Sequence, residues 1–320
     1  MKFSLKLSRR LAGVALTAGA LLAATSASAE YNPKLLRIGF QKSASVLSLI
    51  KTQGTFEKLL APKGIEVKWV EFPAGPQLLE GLNVGAIDLG SVGEAPPIFA
   101  QAAGANFVYV GIELPAPAAE AIVVPKDSSL QKVADLRGRK VALNKGSNVH
   151  YLLVKLLEKA GLKYSDITPV FLPPADARAA FERGSVDAWV IWDPFLSAAE
   201  KQVGARVLAD GSGVVNNYNF FLAEREFAEK RADALKLIFD ELQKQGLAIR
   251  HDPKSAAAQL TTLQGLDADV IERGLRRAGL QVQPISGKVL DDQQKVADTF
   301  FDLKLIPKAI KVRDAALSGK

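Results

Sequence analysis

Cysteine is absent from all 320 positions. That removes disulfides, thiolate nucleophiles and cysteine-ligated metals in one step. Histidine is nearly as scarce: His150 and His251 are the only two, and they do not form a pair with metal-ligand spacing. No basic block carries interleaved aromatics, so nucleic acid is not an expected partner. The familiar catalytic loops are also missing. Leu89-Gly90-Ser91-Val92-Gly93 lacks the first glycine of a nucleophile elbow. Gly211-Ser212-Gly213-Val214-Val215-Asn216 lacks the last glycine of a dinucleotide loop, and no phosphate-binding P-loop is present. These absences argue against an enzyme and against any cofactor. Beyond residue 30 no stretch is long and apolar enough to cross a bilayer.

The N-terminus does carry a strong signal. Lys2, Lys6, Arg9 and Arg10 form a basic head, Leu11 to Ala24 is an apolar run, and Ala27-Ser28-Ala29 fits a secretory cleavage site. Residues 1–29 are therefore read as a signal peptide, cleaved after Ala29 to leave Glu30 first. Four of the 41 basic residues lie in this leader, leaving 37 against 34 acidic, a net charge of +3. An export signal without cysteine fits the bacterial periplasm.

The body of the chain contains one pattern twice. The first copy runs from Leu35–Phe40 through Pro73-Ala74-Gly75-Pro76-Gln77 to Gly85-Ala86-Ile87-Asp88. The second runs from Lys140–Leu143 through Pro174-Ala175-Asp176-Ala177-Arg178 to Gly184-Ser185-Val186-Asp187. Each reads as strand, polar turn, helix, strand, turn, helix and a short apolar strand. The fold class is thus α/β with two similar lobes, each a mainly parallel sheet flanked by helices. Pro115 and Pro117 mark one crossover, and the polar stretch from Asp210 to Asn219 marks the return. Lobe 1 is expected to be discontinuous, residues 30–118 plus 219–320, with lobe 2 at 119–218. Such a chain encloses a cleft, and ligands of open α/β sheets sit beyond the carboxyl ends of the strands.

The turns at those ends supply the candidate site. Gln41, Lys42 and Ser43 follow the first strand, and Gln77 sits in the first turn of a helix. Ser91, Gly93 and Glu94 follow a short strand expected over Ala86 to Leu89. Ser147 and Asn148 directly precede a helix. Helix starts present unpaired N–H groups and partial positive charge, while Ser, Gln and Asn add neutral donors. Together they suit a small oxyanion; taken singly, Ser91 or Ser147 could be a plain N-cap. Trp192 ends a strand of lobe 2 and could wall an apolar tail or serve as core. Asp193 reads as a helix cap, and Asp88 and Asp187 as structural.

Longer strings give the chain a family likeness. Arg37-Ile38-Gly39-Phe40-Gln41-Lys42, Trp69 through Gln77, Asp88-Leu89-Gly90-Ser91, Pro96 through Gly104, Pro174 through Phe181 and Ile191-Trp192-Asp193-Pro194 resemble the periplasmic aliphatic sulfonate-binding proteins of ABC importers. The taurine- and nitrate-binding proteins are close to that family. The resemblance implies a type II periplasmic binding fold, closing as a monomer on a sulfonate anion and delivering it to an ABC permease in the cytoplasmic membrane for sulfur acquisition. Taurine, nitrate or a sulfate ester is the alternative ligand on the same fold. Two departures bear on specificity. Gly90-Ser91-Val92-Gly93-Glu94 stands where the family often has Gly-Ser-Thr-Gly-Asp. Tyr218-Asn219 stands where it often has Gly-Ser, which adds Asn219 to the candidate site.

Overall fold

The computed structural model describes residues 32–43 and 45–317, so the signal segment and its cleavage site lie outside the described residues. Eleven strands are described: β1 Leu35–Phe40, β2 Glu66–Glu71, β3 Leu89–Gly93, β4 Phe107–Glu113, β5 Glu120–Val124, β6 Lys140–Leu143, β7 Thr168–Phe171, β8 Ala188–Trp192, β9 Arg206–Asp210, β10 Asn219–Glu224 and β11 Val282–Gln283. The helices are α1 Ser45–Gln53, α2 Thr55–Leu60, α3 Gly75–Asn83, α4 Ala95–Ala102, α5 Asn148–Lys159, α6 Pro174–Glu182, α7 Phe195–Gln202, α8 Arg225–Lys230, α9 Ala232–His251, α10 Pro253–Gln264, α11 Ala268–Arg277 and α12 Gly287–Asp302. None of them is long and apolar enough to cross a membrane.

The strands form two sheets, ordered β11-β4-β10-β3-β1-β2 and β7-β6-β8-β5-β9. The sequence repeat is visible in that order: β2-β1-β3 matches β7-β6-β8, parallel throughout. Next to each trio lies one reversed strand, β10 against β3 and β5 against β8. These are the strands that follow the crossovers. A chain arriving from the other lobe enters at the edge where the parallel strands end, so it must run back against them. Strands β4 and β9 run with their trios and carry the chain out again.

The repeated aspartates perform one structural task in both sheets. Asp88 accepts the Arg37 N–H at 2.7 Å and pairs with its guanidinium at 2.5 Å. Asp187 accepts the Lys140 N–H at 2.8 Å. Each carboxylate thus ties the segment before one strand to the backbone of its parallel neighbour.

The interior follows from burial on both sheet faces. Strands β5, β8 and β10 are almost wholly buried, as their apolar runs require. One apolar cluster continues from lobe to lobe beside the crossovers, where α4 lies on α5 and Phe99 stacks on His150 at 6.4 Å. Two local readings need correction. The helix expected from about Val46 to Leu60 breaks at Gly54, which takes a left-handed φ of 61° between α1 and α2. The strand expected over Ala86 to Leu89 instead begins at Leu89 and runs to Gly93, because β10 pairs with it along that length.

Candidate functional site

The carboxyl edges of the two sheets enclose a cleft of about 130 Å³. At roughly 10–15 Å³ for each water-sized occupant, this is space for a ligand of about ten heavy atoms. Its wall comes from both lobes and both crossovers. Lobe 1 contributes Gln41, Ser43, Ser45, Gly75, Gly93, Pro96 and Glu113, and lobe 2 contributes Ser147, Asn148, Trp192, Asp193 and Pro194. Ala116, Asn217, Tyr218 and Asn219 come from the crossovers and the start of β10. A further side is apolar, formed by Ile271 and Leu275 of α11 with Gly274, Ala278 and Gly279 beside them.

Several helices begin at this wall. Ser45 opens α1, Gly75 opens α3, Pro96 lies in the first turn of α4, and Ser147 precedes α5. The beginning of α4 is already served, because Asn148 Oδ1 accepts the Ala95 N–H at 3.1 Å. The beginning of α7 is also served: Asp193 accepts from the Ser197 N–H at 2.9 Å and from its hydroxyl at 2.6 Å, as the cap reading expected. No side chain caps α3 or α5. Ser147 instead donates its hydroxyl to the Asn144 carbonyl at 2.7 Å. The free N–H groups of two helix starts therefore remain for a ligand.

The electrostatics are one-sided in an instructive way. Among the described residues no lysine or arginine lines the cleft. The charged groups in its wall are two carboxyls, Glu113 and Asp193. Asp193 is paired with Arg277 at 3.4 Å, and its burial raises its pKa against that pairing and the Ser197 bonds. Burial pushes Glu113 up to about 7, opposed by the hydrogen bond that Asn219 donates to its Oε2 at 3.1 Å. An anion in this cleft would be held by neutral donors and helix dipoles.

Of the sequence candidates, Gln41, Ser43, Gly93, Ser147, Asn148, Trp192 and Asn219 come together in the wall. Four others stand outside it. Lys42 lies on the surface, 3.6 Å from Glu71. Gln77 is outside the lining, and its Oε1 is buried without a hydrogen-bond partner among the described residues. Ser91 lies inside β3 and not after it, so its hydroxyl is covered; it accepts from Asn219 Nδ2 at 2.8 Å and so steadies a residue of the wall. Glu94 points away, towards a second cavity with Tyr151 and Asp292. Its Oε2 accepts the Tyr218 N–H at 3.0 Å, and burial pushes the group up to about 7.

The sequence reading missed Glu113, Asn217, Gln264 and the whole α11 side. A faint signal for α11 existed: Gly274 and Ala278 put small residues on one helical face beside Ile271 and Leu275. His150 was noted only for its rarity. It is fully buried, accepts the Gly146 N–H at 3.2 Å and meets the Tyr164 hydroxyl at 2.9 Å. Burial holds its pKa down to about 4, so it stays neutral while bracing the loop that carries Ser147.

Comparison with known proteins gives a consistent result. Residues 59–256 match the family model described as NMT1/THI5 like. The chain is 47% identical over 298 residues to a protein of Escherichia coli K12 named as aliphatic sulfonates-binding, covering 92% of this chain and 93% of that protein. A similarly named protein of Bacillus subtilis 168 is 36% identical over 88% of this chain and 85% of its own length. Among solved structures, the alkanesulfonate-binding protein of Xanthomonas axonopodis pv. citri bound to MOPS superposes with a TM-score of 0.85. It is 44% identical, over 91% of this chain and all of that one.

Proposed function

Because the chain belongs to the NMT1/THI5-like family, in its aliphatic sulfonate-binding branch, we propose that it captures an aliphatic sulfonate in the interlobe cleft and hands it to an ABC importer for sulfur acquisition. In this reading the protein is exported to the periplasm and loses residues 1–29. It works as a monomer whose lobes, 30–118 with 219–320 and 119–218, hinge at the crossovers. It binds its ligand unchanged, without catalysis.

One observation carries the proposal: two uncapped helix starts meet at a cleft wall that has no cation among the described residues. A sulfonate is anionic at any ordinary pH, so it needs donors and no proton acceptor. Gln41, whose amide spends one N–H on the Ser91 carbonyl and keeps the other, and the N–H groups of α3 and α5 supply donors. Trp192, Ile271 and Leu275 supply an apolar surface for the alkyl part.

The test is calorimetry on the protein with methane- to hexanesulfonate, alongside nitrate, a sulfate ester and taurine. Each buried methylene contributes about 0.8 kcal/mol, so affinity should rise up to a few-fold per carbon until the tail outgrows the cleft. Trp192 is half-buried at the end of β8 and stands edge-on to Phe195, with ring centroids 6.3 Å apart. Trp192→Ala should flatten the chain-length dependence and leave the weak binding of methanesulfonate. If the variant keeps the wild-type slope and only melts earlier, Trp192 is core and the tail lies elsewhere. If nitrate or a sulfate ester binds best, the sulfonate reading fails.

A further inference from the structure

Two glutamates beside the crossovers leave three carboxyl oxygens buried without a hydrogen bond among the described residues. Glu120, the first residue of β5, is wholly buried, and both of its oxygens are unpartnered. Glu94, just before α4, is 1% exposed; its Oε2 accepts the Tyr218 N–H, and its Oε1 is unpartnered. An ionised carboxylate buried without donors is so costly that it takes up a proton instead.

The strand pattern brings the two together. Side chains alternate along β5, and Ala121 and Val123 pack in a cluster confined to the second sheet. Glu120 therefore shares the other face with Ile122 and Val124, whose cluster continues into lobe 1 and includes Val215 and Tyr218 of the return crossover. Glu94 is held to the same crossover through Tyr218. The two crossovers are tied to each other, the Ala116 N–H donating to the Asn216 carbonyl at 3.1 Å and Asn217 Nδ2 to the Ala116 carbonyl at 2.8 Å. The two carboxyls are close enough to feel one another: burial first, and then the charge of Glu94, raise Glu120 well above the usual carboxylate range.

We propose that Glu120 is a carboxylic acid at neutral pH and donates its O–H to Glu94 Oε1, so that one buried proton joins the two lobes behind the crossovers. The bond braces the crossover that carries Asn217, Tyr218 and Asn219 into the cleft wall. The surroundings offer no other partner. The titratable and charged groups near the pair are Tyr218 at the crossover, Tyr151 on α5, Tyr109 on β4, and Asp292 and Lys295 on α12. Lys295 and Lys288 both pair with Asp292, and Asp210 on β9 stands opposite Ala121, on the other face of β5. A hard cation would need about six to eight oxygens. Among the described residues no group of three or more acidic or histidine side chains is placed to hold a metal. A proton needs only the pair.

Infrared spectra at pH 8 test this directly, because Glu94 and Glu113, pushed up to about 7, are then largely ionised. The wild-type protein should show a protonated-carboxyl C=O band that Glu120→Gln lacks. In Glu94→Gln, which removes the neighbouring charge, the band should disappear at a lower pH than in wild type. Urea melts read the same proton. It is held in the folded chain and released on unfolding, so the stability Glu120 brings is complete below the ordinary value of 4.5 and is lost as pH rises towards the folded value. From pH 6 to 8 the folding constant of the wild-type protein should fall by about tenfold more per pH unit than that of Glu120→Gln. A third arm rests on the sulfonate reading. Glu120→Gln, whose amide still donates to Glu94, should bind a sulfonate within about threefold of wild type, and Glu120→Ala at least tenfold more weakly. No band in the wild-type protein, equal pH slopes, or wild-type affinity in Glu120→Ala overturns the proposal. So does a melting temperature lowered by EDTA, which would put a cation in the proton's place. If the wild-type protein binds no sulfonate, the sulfonate reading has failed, and the infrared and urea arms still decide. Should Glu120→Gln not fold, the wild-type band and its shift in Glu94→Gln decide alone.

Discussion

Gly93→Ala is expected to weaken sulfonate binding by about a hundredfold while both lobes stay folded. Gly93 ends β3 at the cleft edge and is not among the glycines with positive φ, so alanine suits the backbone. A Cβ there, however, would fall on the side-chain amide of Asn148 from the opposite lobe. That amide is not free to swing away. Its Oδ1 accepts from the Ala95 N–H, and its Nδ2 donates to Asn217 Oδ1 at 2.6 Å and to the Tyr218 carbonyl at 3.4 Å. Displacing it loses bonds worth about 1 kcal/mol each, roughly 2–3 kcal/mol together. Because the Ala95 bond joins the lobes and the other two tie Asn148 to the return crossover, the loss should fall on closure and hence on affinity. Calorimetry with a bound sulfonate and a urea melt of the free protein separate the two effects. Unchanged affinity would mean that Asn148 does not clasp the lobes.

The second large effect concerns stability. Asp88→Ala should destabilise the protein by about 3 kcal/mol, and Asp187→Ala by about 1 kcal/mol or less. The two residues occupy matching places in the repeat, but their surroundings differ. The Asp88 side chain is 4% exposed and accepts from the Arg37 backbone and guanidinium, so its removal leaves a buried strand N–H and a half-buried charge unpaired. Asp187 is 36% exposed and faces Arg139, itself 46% exposed, at 3.6 Å, where water can replace the lost partner. Urea denaturation of both variants gives the comparison. Equal losses would show that burial does not govern the difference.

Much of this architecture was legible because it rests on local chemistry repeated in the chain. The Gly-x-(Ile/Val)-Asp turns, the apolar strands and the Pro-opened helices each state their role within a few residues. The reversed strands were not legible in the same way. Nothing in Asn219–Glu224 distinguishes a strand wedged between β3 and β4 from one at an edge, since both read as an apolar run. The misplacement of Ser91 follows from this: pairing with β10 extends β3 past Ser91, and that pairing spans more than a hundred positions of sequence. Glu113 was hidden for a related reason. At the end of an apolar strand it resembles a solvated terminus, and only the arrival of β10 and β11 on either side makes it a buried carboxyl. The α11 wall depends on small residues, whose effect is to let other groups approach and which carry little signature of their own.

The position of β10 also sets an order of assembly. The strands of the second sheet, β5 to β9, come from one continuous stretch, so all of them have left the ribosome, or crossed a membrane, before residue 219 follows. Lobe 1 has no such independence. Until Asn219–Glu224 arrives, β3 and β4 have a strand-wide gap between them and no hydrogen-bonded neighbour to close it. The first-made half of lobe 1 must therefore wait, with two unpaired edges, for a segment made after the whole of lobe 2. A chain cut after Tyr218 should accordingly yield a protease-resistant core from lobe 2 while the preceding half is digested. In the intact protein this interval is the time during which a holdase chaperone would find its binding site.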